Sequence, residues 1–234
     1  MHATASVELV IDSLLPNLLQ GDRATVRTQV ARALGDGLAA EDFTEQVAWP
    51  LHESLHKLHR LDQIERISFN YATRLLRSVV DQVQLGYRRS ERNGQRVMLF
   101  CGSGENEDLG GQMAADLLEA AGYEVFFAGG GVARDEILEE THRRTPDFLV
   151  LFASAAADAP TIRAIIDQVR EVGAHPGLQI AVGGGVFNRA AGLAEAIGAT
   201  RFARTPMELV RALAAPPAAA RHAIGEPRRA RAVA

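Results

Sequence analysis

The chain has 234 residues, 47% of them apolar, which is enough to bury a core of its own as one large domain or two small ones. Lysine and arginine number 25 against 29 for aspartate and glutamate, and the net charge of -4 removes the electrostatic basis for nucleic-acid binding. The single cysteine, Cys101, excludes an internal disulfide, and no CxxC or Cys/His cluster offers a zinc or iron–sulfur site. With no leader pattern and no run of eighteen apolar residues, the expectation is a cytoplasmic protein without a membrane span.

Over residues 1–87 apolar side chains recur at three- and four-residue steps: Val7, Val10, Leu14 and Leu18; Phe43, Val47, Leu51, Leu55 and Leu58; Ile64, Ile67, Tyr71, Leu75, Val79 and Val83. This is the spacing of amphipathic helices packed on one another, and it predicts a four-helix bundle. Asp22 and Asp62 stand where N-caps would start helices, while Gly35 and Gly37 interrupt the chain before Glu41.

The segment 88–94 is polar and closes on Asn93-Gly94, which marks it as a linker. Beyond it the pattern changes. Short β-rich runs at 97–101, 124–127, 148–152, 179–182 and 201–203 alternate with helical stretches at 110–121, 133–143, 160–172, 188–197 and 206–213. Such alternation predicts an α/β module over 95–214, a doubly wound, flavodoxin-like sheet of five parallel strands, with ligands at the carboxyl ends of the strands. Residues 215–234 are rich in Ala, Pro and Arg without apolar periodicity and are expected to form a disordered basic tail.

Three loops leave the same edge of that sheet. The first, 102–111, carries Gly102, Ser103, Gly104 and Gly110, but also the acids Glu105, Glu107 and Asp108. The second carries Ser154 and Ala155. The third holds Gly183, Gly184 and Gly185 ahead of Val186 and Phe187, and its missing side chains let a flat ligand approach the backbone.

Bundle, linker and five-stranded module together resemble the cobalamin-binding domain family, over about residues 7–213. In that family the first loop reads Asp-x-His-x-x-Gly, the third strand ends in Ser-x-Leu and the fourth in Gly-Gly. This chain reads Glu105-Asn106-Glu107-Asp108-Leu109-Gly110, then Ser154-Ala155-Ala156, then Gly183-Gly184-Gly185-Val186-Phe187. The segments LHKLHRLDQIERISFNYATRLLRSV and HPGLQIAVGGGVFN are most similar to the stand-alone light and redox regulators of photosynthetic bacteria.

The resemblance implies a cofactor site on Gly102, Ser103, Gly104, Glu105, Glu107, Gly110, Ser154, Ala155, Gly183, Gly184, Gly185, Val186 and Phe187. It also implies that His59 and Asn70 of the bundle face the ring, with His59 the candidate metal ligand. The family's lower axial histidine is replaced by Glu107, a poorer ligand for low-spin cobalt than imidazole. The expected function is therefore a non-enzymatic cobalamin-binding sensor with a protein partner in a regulatory pathway, as monomer or homodimer. Two alternatives stay open: a module that binds heme or a bilin, or serves as an interaction scaffold, and a corrinoid methyl carrier. Lone Trp49 reads as bundle packing, and Cys101 as a small apolar residue at a strand end.

Overall fold

The computed structural model describes residues 2–104, 108–173 and 175–216. The bundle comprises α1 (His2–Gln20), α2 (Arg23–Gly35), α3 (Ala40–Phe43), α4 (Trp49–Arg60) and α5 (Arg66–Val83). Asp22 caps α2 as expected, its carboxylate accepting from the Thr25 amide at 3.0 Å. Asp62 does not cap α5. It adopts a left-handed conformation, with φ of 51°, and Glu65 takes the cap position.

Helices α3 and α4 join through a π-helical turn, Thr44–Ala48, in which the Trp49 amide donates to the Thr44 carbonyl five residues back. Pro50, which has no N–H and whose ring crowds the preceding turn, sits just beyond this widening. The three segments form one interrupted rod, so the bundle has four rods, as the periodicity predicts. In the fourth rod Leu75, Val79 and Val83 are buried as expected, but Ile67 and Tyr71 near its start are exposed, and Phe69, Ala72, Leu76 and Val80 complete the core.

The sheet has strands β1 (Arg96–Cys101), β2 (Glu124–Gly129), β3 (Phe148–Phe152), β4 (Gln179–Gly183) and β5 (Arg201–Ala203), all parallel, in the order β2-β1-β3-β4-β5. Helices α6 (Asp108–Ala120) and α11 (Pro206–Ala214) cover one face, where Val97, Leu99, Val150 and Phe152 share an apolar cluster with the bundle. The other face, with Met98, Phe100, Leu149 and Leu151, is covered by α7 (Arg134–Arg144), α8 (Ala159–Val172), α9 (Gly185–Arg189) and α10 (Leu193–Ala196). The single helix expected over 188–197 is two short ones, separated near Gly192, whose φ is 80°. Strand order reverses between β1 and β3, which opens a crevice at their carboxyl ends.

Polar bridges dock the bundle on the α6/α11 face. The Glu45 carboxylate accepts from Thr205 Oγ1 at 2.7 Å and from the Met207 amide at 3.3 Å, and Arg77 pairs with Asp108 at 2.5 Å. Among the described residues no helix is long and apolar enough to cross a membrane. Of the basic tail, only residues 215 and 216 fall within the described chain.

Candidate functional site

The carboxyl edge of the sheet is held together by backbone hydrogen bonds that run past the strands. The Gly102 amide donates to the Phe152 carbonyl at 2.8 Å, and the Ala153 amide to the Gly183 carbonyl at 3.0 Å. Ser103 turns away toward α8, donating from its amide and hydroxyl to Asp158 Oδ1 at 3.2 and 3.0 Å. Gly104 is exposed, and Glu105 and Glu107 lie outside the described residues. Asp108, read in the sequence as part of an acidic loop, opens α6 instead. There a carboxylate suits the positive end of the helix, and Arg77 neutralises it from the bundle.

Helix α4 runs across this edge, and its residues meet the glycines in turn. A Cβ on Gly110 would lie 3.2 Å from both Phe152 and Trp49 and 3.4 Å from His52 Nε2. A Cβ on Gly183 would lie 2.6 Å from the Phe152 ring. At Gly184 the φ of 98° suits glycine, and a side chain would strike the Ala153 carbonyl. Gly185 faces Glu53 of α4 and Arg189 of α9. Trp49 meets Phe152 edge-on, with ring centroids 6.3 Å apart, so it packs across the seam as well as within the bundle.

The main residue that the sequence reading missed is His52. It is 3% exposed, and neither ring nitrogen has a hydrogen-bond partner. Burial, with His56 and Arg77 nearby, holds its pKa well below the usual imidazole range, so the ring is neutral. Its ring stacks on His56 at 4.4 Å, and burial lowers His56 to about 4. One signal in the sequence could have found it: from Trp49, positions 52, 56 and 59 continue the helical stripe, and all three are histidine.

The other expected residues divide. Gly102, Ser103, Gly110, Gly183, Gly184 and Gly185 gather at the edge, and His59 stacks on Phe69 with centroids 4.3 Å apart. Asn70 is half-buried on α5, where its carbonyl accepts from Thr73. Ser154 and Ala155 lie beyond the end of β3, and the Ser154 carbonyl accepts from Arg189. It is Phe152, not Ser154, whose side chain crosses Gly183. Val186 and Phe187 are buried in the apolar cluster on the opposite face, which makes them core residues supporting the edge from behind.

The residues suit a large flat metal-centred ring in two ways: a glycine edge for its face, and a buried neutral imidazole whose nitrogens lack partners. Trp49, His52 and Phe152 meet over that edge, so a ring reaches the glycines only when these side chains swing aside or the bundle lifts.

Comparison with known proteins gives the family and the fold. The model of the B12 binding domain matches residues 95–211. The monomethylamine corrinoid protein of Methanosarcina barkeri superposes with a TM-score of 0.76 at 17% identity, covering 87% of this chain and 96% of that one. A cobalamin-binding protein from Desulfitobacterium hafniense DCB-2 aligns at 16% identity over 86% of this chain and 95% of that one, with a TM-score of 0.46. No curated protein matches. At such identities the first superposition shows a shared fold that extends through the bundle. The chain belongs to the B12-binding domain family, and its cofactor is cobalamin.

Proposed function

We propose that the chain is a cobalamin-dependent sensor that performs no catalysis and signals to a protein partner through the position of the bundle on the sheet edge. The observation that carries this is His52. A buried imidazole without partners forgoes hydrogen bonds worth about 1–3 kcal/mol, which is tolerable where the group meets a ligand.

Cobalamin, when bound, would supply a cobalt centre whose bonding could report light or redox state. On this reading Gly183, Gly184 and Gly185 would hold the ring, and His52, in place of His59, would offer it a neutral nitrogen from the bundle. Position 107 holds Glu and not His, so an imidazole from the first loop plays no part. A hollow of about 570 Å³ between α4 and α9, lined by Glu53, Lys57, Arg60 and Arg189 among others, would meet the polar rim of the ring. Displacing Trp49 and Phe152 couples binding to bundle position, because both side chains belong to the seam.

The test is an absorption spectrum of the purified chain after incubation with methylcobalamin, adenosylcobalamin, hydroxocobalamin, hemin and biliverdin, followed by desalting. Retained cobalamin whose spectrum changes in His52→Leu and not in Glu107→Gln supports the reading. Retention of hemin or biliverdin alone would overturn it. A second reading, a methyl carrier, is favoured by the likeness to the monomethylamine corrinoid protein. It requires methyl transfer to or from the bound cofactor, which a sensor does not perform.

A further inference from the structure

A second cavity lies on the other face of the sheet from the seam. It occupies about 160 Å³ at the carboxyl ends of β1 and β3, under α8 and the loop ahead of α7. This is the crevice where strand order reverses, the usual position for a ligand in an open α/β sheet. Phe100, Ile137, Leu151, Ile162 and Ile165 make its walls apolar, and Asp158 supplies a carboxylate among them.

Asp158 is 8% exposed. Its Oδ1 is taken by the Ser103 amide and hydroxyl, while its Oδ2 is buried and accepts from nothing. Gly102 lets the carboxylate press against the backbone, since a Cβ there would strike Oδ2. Half of this carboxylate thus fixes the loop after β1, and the other half is an acceptor without a donor beside an apolar cavity. Such an acceptor is uncommon and calls for a donor from outside the chain.

We propose that this cavity is a separate binding site for a small primary ammonium compound with a branched apolar body of four or five carbons. The ammonium group donates to Asp158 Oδ2, and the body fills the space between Leu151, Ile162 and Ile165. The volume is of the order that admits a single small ring, about 150 Å³. The cavity shares Gly102, Ser103 and Phe152 with the edge assigned to cobalamin, but neither Trp49, His52 nor the glycines at 183–185 line it, so its apolar walls and Asp158 form a site of their own.

The test is a titration of the full chain with 3-methylbutylamine and, in parallel, with 3-methylbutan-1-ol, followed by protein NMR shifts. The amine is expected to bind about 10-fold or more tightly than the alcohol, the margin typical of a charge-assisted hydrogen bond. Asp158→Asn should reduce the two to equal affinity. Ile162→Trp fills the cavity, leaves the Ser103–Asp158 hydrogen bonds in place, and should abolish binding of both. Equal affinities in the unmodified chain, or amine binding unchanged in Ile162→Trp, would overturn the proposal.

Discussion

The two ends of the sheet treat their polar groups differently. At the amino end every strand entry is closed by the chain itself: the Arg96 amide donates to Asp147 Oδ2 at 2.7 Å, the Asp147 amide to the Arg96 carbonyl at 2.9 Å, and the Gln179 amide to the Asp147 carbonyl at 2.9 Å. At the carboxyl end both nitrogens of His52, Asp158 Oδ2 and Asn188 Oδ1 are buried with no partner, whereas toward the amino end, among the described residues, Asp116 Oδ2 and His175 Nε2 are. The strand entries are closed by the chain, while the larger share of open polar atoms gathers at the carboxyl end, the end where an open α/β sheet takes its ligands.

The largest expected effect comes from breaking the carboxyl end at its backbone. Gly184→Val places a branched side chain at a φ of 98° against the Ala153 carbonyl, and should cost on the order of 3 kcal/mol in denaturant unfolding while eliminating cobalamin retention. Retention at the original affinity would show that the ring does not use this edge.

Protonation tests the same end. The folded pKa of His56 is about 4 against an ordinary 6.5, so the unfolded chain binds the extra proton first, and stability falls as pH drops from about 6.5 to about 4. That window corresponds to at most about 3 kcal/mol, and His52 acts in the same direction. Asp116, raised to about 6 chiefly by burial, then by Asp81 and Glu119, acts oppositely: its contribution is present below about 3.8 and lost as pH rises through 6. Comparing the unmodified chain with His56→Gln over this pH range cancels Asp116. Parallel stability curves would mean that His56 is not buried as a neutral ring.

The amino end gives a smaller effect with no functional consequence. Asp147→Ala leaves the Arg96 amide without its acceptor and should cost about 1–2 kcal/mol, with cobalamin spectra unchanged. Smallest is Arg77→Ala. Both members of the Arg77–Asp108 pair are about one-third exposed, so thermal unfolding should show a loss of about 0.5–1 kcal/mol.

Most of the fold was legible in the sequence because alternating β-rich and helical runs leave little choice of topology, and the five strands fall where the apolar runs place them. The first turns of α5 were not: Leu75, Val79 and Val83 are buried as the series places them, but Ile67 and Tyr71 continue the same series, and only packing against the other rods selects Phe69 and Ala72 instead. The glycine edge was legible for the same reason as the fold. His52 was not, because a histidine on a helix reads as surface until the π turn before Trp49 fixes which face of α4 meets the sheet. Phe152 was equally hidden, since an aromatic at a strand end reads as core until Gly183 is seen beneath it.

The most direct measurement is the absorption spectrum of hydroxocobalamin bound to the unmodified chain and to His52→Leu, with their unfolding midpoints. The account predicts that the substitution leaves stability unchanged or raises it by about 1 kcal/mol, since it removes a buried group without partners, and that it alters the bound spectrum. Identical spectra with a large loss of stability would contradict it, making His52 a packing residue and leaving the seam without a ligand from the bundle.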